Sequence, residues 1–201
     1  MRIKKQITNA AKFALAVALI NSLCQSAALA DTWYPSNAKA YPGTAFHCDL
    51  QPLPPDMPGI KTEDRQFVDH ACAVLLKCAQ EKELMLTALS GDKSAEAFMR
   101  YKSVTEEQLR RIMNVAPPTG LESFKLDVVK AITLQMTFFD KAVKARASGA
   151  SMTAVMAIPE GRQASSLLFA AWDEMQKRYW FFWSGNTKDA IYHHLCAFDL
   201  F

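Results

Sequence analysis

From Thr62 to Phe201 apolar side chains recur every three or four residues, and that period suits helices packed on one another rather than strands. The first stripe runs through Phe67, Ala71, Val74, Leu75, Cys78, Met85, Leu86 and Leu89, with Thr62 as N-cap and Gly91 as stop. A shorter helix is expected from Lys93 to Lys102. Thr105-Glu-Glu-Gln108 has the form of a capping box and should open a third helix to Val115, which Pro117-Pro118 ends. A second such box, Thr119-Gly-Leu-Glu122, should open a long helix to Ala147 with Phe124, Val128, Ile132, Met136, Phe139 and Val143 on its apolar face. A short turn over 151–158, a long helix from Glu160 to Trp183 and a short one from Thr187 to Phe198 complete the series. The expectation is an all-α bundle of four main helices plus short ones, spanning 62–201.

Residues 31–61 read differently. Pro35, Pro42, Pro52, Pro54, Pro55 and Pro58 each fix φ and lack a backbone donor, so regular helix is excluded there. Trp33, Tyr34, Tyr41 and Phe46 are too many aromatics for a solvated tail, and the segment reads as an extended arm laid over the domain.

Residues 1–30 have the layout of a cleavable export signal. Arg2, Lys4, Lys5 and Lys12 precede an apolar run from Phe13 to Ile20, and Ala28-Leu-Ala30 supplies small residues for cleavage before Asp31. The apolar run falls short of the ~20 residues a spanning helix needs. Leu23 before Cys24 does not suit lipid attachment. Cleavage would also change the charge: the 23 basic and 20 acidic residues of the whole chain become 19 and 20, because all four removed charges are basic. The apparent basicity therefore belongs to the signal and gives no reason to expect a nucleic-acid partner. No later stretch is apolar enough to suggest an integral membrane span, and the expected address is the periplasm or the medium.

Four of the five cysteines would remain, Cys48, Cys72, Cys78 and Cys196, and an even number in an oxidising compartment suggests two disulfides. Cys72 and Cys78 are six positions apart on one helix, about 9 Å along its axis, too far to pair with each other. Cys48–Cys72 with Cys78–Cys196 is the favoured scheme, and Cys48–Cys78 with Cys72–Cys196 is the alternative.

The candidate chemistry is sparse. His47, His70, His193 and His194 each lie within three residues of a cysteine, so disulfides would draw them together as ligands for Zn or Cu, although no H-x-x-x-H spacing is present. Haem between a histidine and a methionine is a related alternative. Tyr179-Trp180-Phe181-Phe182-Trp183 cannot all face one core on a helix, so Tyr179, Trp180, Phe182 and Trp183 are candidate anchors for a protein partner. Val104-Thr-Glu-Glu-Gln-Leu109 resembles, over six residues, the L-T-x-x-Q signature of small helical periplasmic stress chaperones, departing from it at Val104. Ser90-Gly-Asp-Lys93 matches S-x-x-K formally but has no S-D-N or K-T-G to accompany it. Glu122, Asp127, Asp140, Asp173 and Glu174 are scattered and form no evident acid–base pair for a carboxylate hydrolase.

The reading that follows is an exported helical protein that acts by binding another protein, as an inhibitor, an immunity protein against an exported toxin, or a secretion or envelope accessory. A metal or haem binder and a carboxylate hydrolase are the alternatives. No catalytic residue and no resident cofactor is assigned.

Overall fold

The computed structural model describes residues 53–55, 57, 59–91, 93–179 and 185–201, the side chains of 185 and 186 excepted. The expected signal segment and most of the expected arm lie outside these residues. Among the described residues the fold is all-helical, with no strand: α1 (Thr62–Ala88), α2 (Ser94–Met113), α3 (Glu122–Ala147), α4 (Met152–Met156), α5 (Pro159–Tyr179) and α6 (Gly185–Phe198).

Two pairings organise the bundle. α1 packs antiparallel to α2, and α3 antiparallel to α5, while α6 lies chiefly on α1. The main core joins Phe67, Val68, Leu75 and Cys78 of α1 to Phe124, Val128 and Ile132 of α3, Leu168 and Met175 of α5, and Ile191, Leu195 and Phe198 of α6. A second cluster closes the end of the bundle where α4 sits, with Met85, Leu89, Tyr101, Phe138, Phe139, Ala142 and Val155. There the Tyr101 and Phe139 rings meet edge to face at 4.8 Å, an arrangement that suits their quadrupoles.

The stretch expected to hold two helices, 93–102 and 105–115, is one continuous α2. Nothing in Lys102-Ser-Val104 breaks a helix, and burying Tyr101, Thr105, Gln108 and Ile112 against α1 and α3 favours carrying the same face straight through. The Thr105 box is therefore not a cap, because Thr105 is a buried mid-helix residue. The second expected box is displaced as well. α3 begins at Glu122 after an N-cap Leu121 without a side-chain cap, and the Glu122 carboxylate instead accepts from the Gly120 N–H at 2.6 Å. Gly120 itself has φ 88°, and a Cβ there would lie 2.1 Å from Nη1 of Arg178. Only glycine turns this corner beneath that guanidinium.

Two polar devices hold the helices in register. Arg178, near the end of α5, donates to Asp64 Oδ2 at 3.1 Å and to the Thr119 carbonyl at 2.8 Å, while the Tyr179 hydroxyl donates to the same buried carboxylate. At the opposite end of α1, Lys82 Nζ donates to the carbonyls of Ala197 at 2.8 Å and Asp199 at 2.6 Å. Gln135 of α3 donates to the Phe198 carbonyl at 2.7 Å. The last turn of α6 leaves carbonyls without helical partners, and buried side chains of α1 and α3 satisfy them.

Candidate functional site

One well-formed concavity among the described residues follows from the pairing pattern. α5 is packed mainly on α3 and α6 mainly on α1, so the two meet each other less extensively and leave a seam. Leu168, Phe169 and Trp172 of α5 form one wall, spaced by one helical turn. Tyr192, Leu195 and Cys196 of α6 form the other, and Asp199 and Phe201 close one end. The groove opens to solvent and has about 320 Å³ of space, its solvent-filled mouth included. The Trp172 and Tyr192 rings lie 5.5 Å apart across it, tilted by 57°. Two phenylalanines stand at its edge, Phe169 at 53 % exposure and Phe201 at 50 %. A water-facing phenylalanine gains nothing from burial, and here two stand on one apolar groove.

The closed end is held rigidly. Asp199 Oδ1 accepts from the Ser165 hydroxyl, from the Leu200 N–H at 2.7 Å and from the Phe201 N–H at 3.4 Å. These bonds fold the chain back over α5. Gly161 makes room there, since a Cβ would come within 3.1 Å of both the Phe138 and Phe201 rings. The carboxylate is spent on structure, and Ser165 is paired with it rather than with a base, so this constellation does not form an activated nucleophile.

The cysteines depart from expectation. Cys72 and Cys78 are free thiols buried in the core, which overturns both two-disulfide schemes. Their helical separation does keep them from bonding each other, but neither is free to reach another cysteine: both point between α1 and its neighbours. Burial, the dominant cause for each, pushes their thiols far up from the ordinary cysteine range, so neither offers a thiolate. Cys196 is disulfide-bonded, and its partner lies outside the described residues. Cys48 also lies outside them.

The histidines separate. His70 is buried between α1 and α2, with Nε2 3.4 Å from the Arg111 carbonyl and Nδ1 unpartnered. His194 is fully buried, its Nδ1 2.6 Å from the Ala190 carbonyl one turn back. His193 is half-buried and faces the Tyr192 ring at 5.9 Å. Among the described residues no three His, Cys, Asp or Glu side chains converge as metal ligands, and His47 lies outside them.

Of the aromatic run, Tyr179 is 4 % exposed and bonded to Asp64, which makes it a core residue rather than a partner anchor. Trp180, Phe182 and Trp183 lie outside the described residues. The groove is not evident from the sequence: Phe169 and Trp172 fall inside an expected helix, and Tyr192 lies beside two histidines. The signal was present as paired i, i+4 stripes, Leu168/Trp172 and Tyr192/Cys196, with aromatic residues off the core face.

Among the described residues no helix is long and apolar enough to cross a membrane. No protein-family model matches the sequence, no curated protein matches it, and no solved structure matches its fold.

Proposed function

We propose that the chain is exported, loses residues 1–30, and acts in the periplasm or outside the cell by binding another protein in the groove between α5 and α6. The observation that carries this reading is the aromatic-lined groove with Phe169 and Phe201 half-exposed at its edge. Aromatic side chains in a partly formed pocket are the groups that most often anchor a protein partner. The groove walls are apolar, and the charged group nearest them, Asp199, is committed to Ser165 and the chain beyond it. The partner is therefore one that presents an apolar side chain or helix face, as a toxin held by an inhibitor or a client held by an envelope accessory would.

The test is capture of cross-linked partners by the mature protein from its own cell envelope, followed by rebinding of each purified partner. Phe169→Glu places a charge at the groove edge on an already exposed position, so it leaves the fold intact. Loss of rebinding with Phe169→Glu supports the reading, and equal rebinding by wild type and variant refutes it.

A further inference from the structure

We infer that the mature protein pairs with a second copy of itself through the exposed face of α5, in an antiparallel contact that sets Arg162 of each copy against Asp173 of the other. The contact face is a narrow stripe. At 3.6 residues per turn, Arg162, Ser166, Phe169 and Asp173 fall within about 60° of one another around the helix axis. All four are exposed, and the stripe runs about 16 Å from first to last. Neither Arg162 nor Asp173 forms an ion pair among the described residues. Ser166 donates its hydroxyl to the Arg162 carbonyl at 3.0 Å, so the middle of the stripe holds a small side chain whose donor is already satisfied.

The order of these residues selects the occupant. The charges at the two ends are opposite, and the spacing is symmetric about the midpoint between positions 167 and 168. Turned end for end, a second copy sets Asp173 against Arg162 and Phe169 against Ser166, and does so twice in one interface. That is the self-complementarity a two-fold contact requires. A parallel copy would face Arg162 with Arg162 and Asp173 with Asp173, which like-charge repulsion disfavours. Phe201 fits the same arrangement. A Cβ at Gly161 would lie 3.1 Å from its ring, so it stands beside the Arg162 end of α5, toward which the second copy carries its own Phe169. One contact then covers both half-exposed phenylalanines. This goes beyond the reading of a foreign partner, on which it rests only in taking Phe169 as an interface residue.

Sedimentation equilibrium of the full mature protein over a dilution series tests it. Wild type should be a dimer that dissociates on dilution. Arg162→Asp and Asp173→Arg each set like charges against each other at both symmetric contacts, and each should raise the dimer Kd at least ~10-fold. An equimolar mixture of the two variants should form a heterodimer of wild-type affinity, because every contact then joins opposite charges. The double variant Arg162→Asp/Asp173→Arg should recover in the same way. Both positions are exposed, and unchanged circular dichroism shows that the variants keep the fold. A wild type that stays monomeric throughout, a dimer indifferent to both reversals, or a mixture that fails to associate overturns the inference. A charge-dependent dimer whose captured proteins rebind Phe169→Glu as well as wild type defeats only the partner reading. A monomer whose captured partner still needs Phe169 defeats only this one.

Discussion

Lys82 places its ammonium group 2.6 Å from the carbonyl oxygen of Asp199, a contact that joins the sixth turn of α1, the longest of the described helices, to a residue 117 positions later. The side chain is 1 % exposed and also bonds the Ala197 carbonyl and pairs with Glu83. Burial lowers the pKa of this ammonium, and the hydrogen bond and charge of Glu83 oppose that effect. This cation, the Gln135 amide and the Asp199 carboxylate together hold the end of α6 and the closed end of the groove.

Lys82→Met keeps the aliphatic bulk and leaves two carbonyls unsatisfied. It should lower unfolding stability by about 2–3 kcal/mol, the range for losing hydrogen bonds to a charged group. Urea unfolding followed by circular dichroism measures this. Hydrogen exchange should rise most in residues 195–201, and an unchanged midpoint would show that the contact contributes nothing net.

Tyr179→Phe removes the hydroxyl from Asp64, which keeps only Arg178 as a side-chain partner among the bonds described. A loss of about 1–3 kcal/mol is expected on the same assay, since a buried carboxylate loses a donor. A neutral effect would indicate that Arg178 alone satisfies Asp64.

Acid should destabilise the fold through its buried histidines. Burial, the largest influence on His194, lowers its pKa from 6.5 to about 4. The native state therefore resists a proton that the unfolded chain accepts below pH 6.5. Stability is full above that pH and declines as pH falls toward 4, by about 3 kcal/mol for this group. His70, lowered chiefly by burial, adds to the loss in the same direction. His194→Gln should flatten the difference between urea midpoints at pH 7 and pH 4.5, and an equal slope in wild type and variant would count against the assignment.

Cys72 and Cys78 should both resist iodoacetamide in the native protein and both react once it is unfolded in denaturant. Rapid native labelling of either one would place it outside the core.

The helices were legible because their apolar residues keep one period over long spans, as the stripe from Phe67 to Met85 shows. What the pattern could not decide was where helices join. The Thr105 box satisfies local capping rules as well as a true N-terminus does, and only its burial beside Tyr101 makes it helix interior. Cysteine pairing failed for a similar reason. Oxidising conditions favour counting cysteines in pairs, whereas the packing of α1 against α2 and α6 turns Cys72 and Cys78 into small apolar core residues. The groove was hidden because it arises from how two helices avoid each other, a relation that neither helix carries in its own sequence.

The most direct test of the binding account is a calorimetric titration of an identified partner into mature wild-type protein, Phe169→Glu, Trp172→Ala and Met99→Glu. The account predicts at least ~10-fold weaker binding, about 1.4 kcal/mol, for both groove variants. It also predicts an unchanged Kd for Met99→Glu on the exposed face of α2. Wild-type affinity in both groove variants, or an equal loss in Met99→Glu, would contradict it.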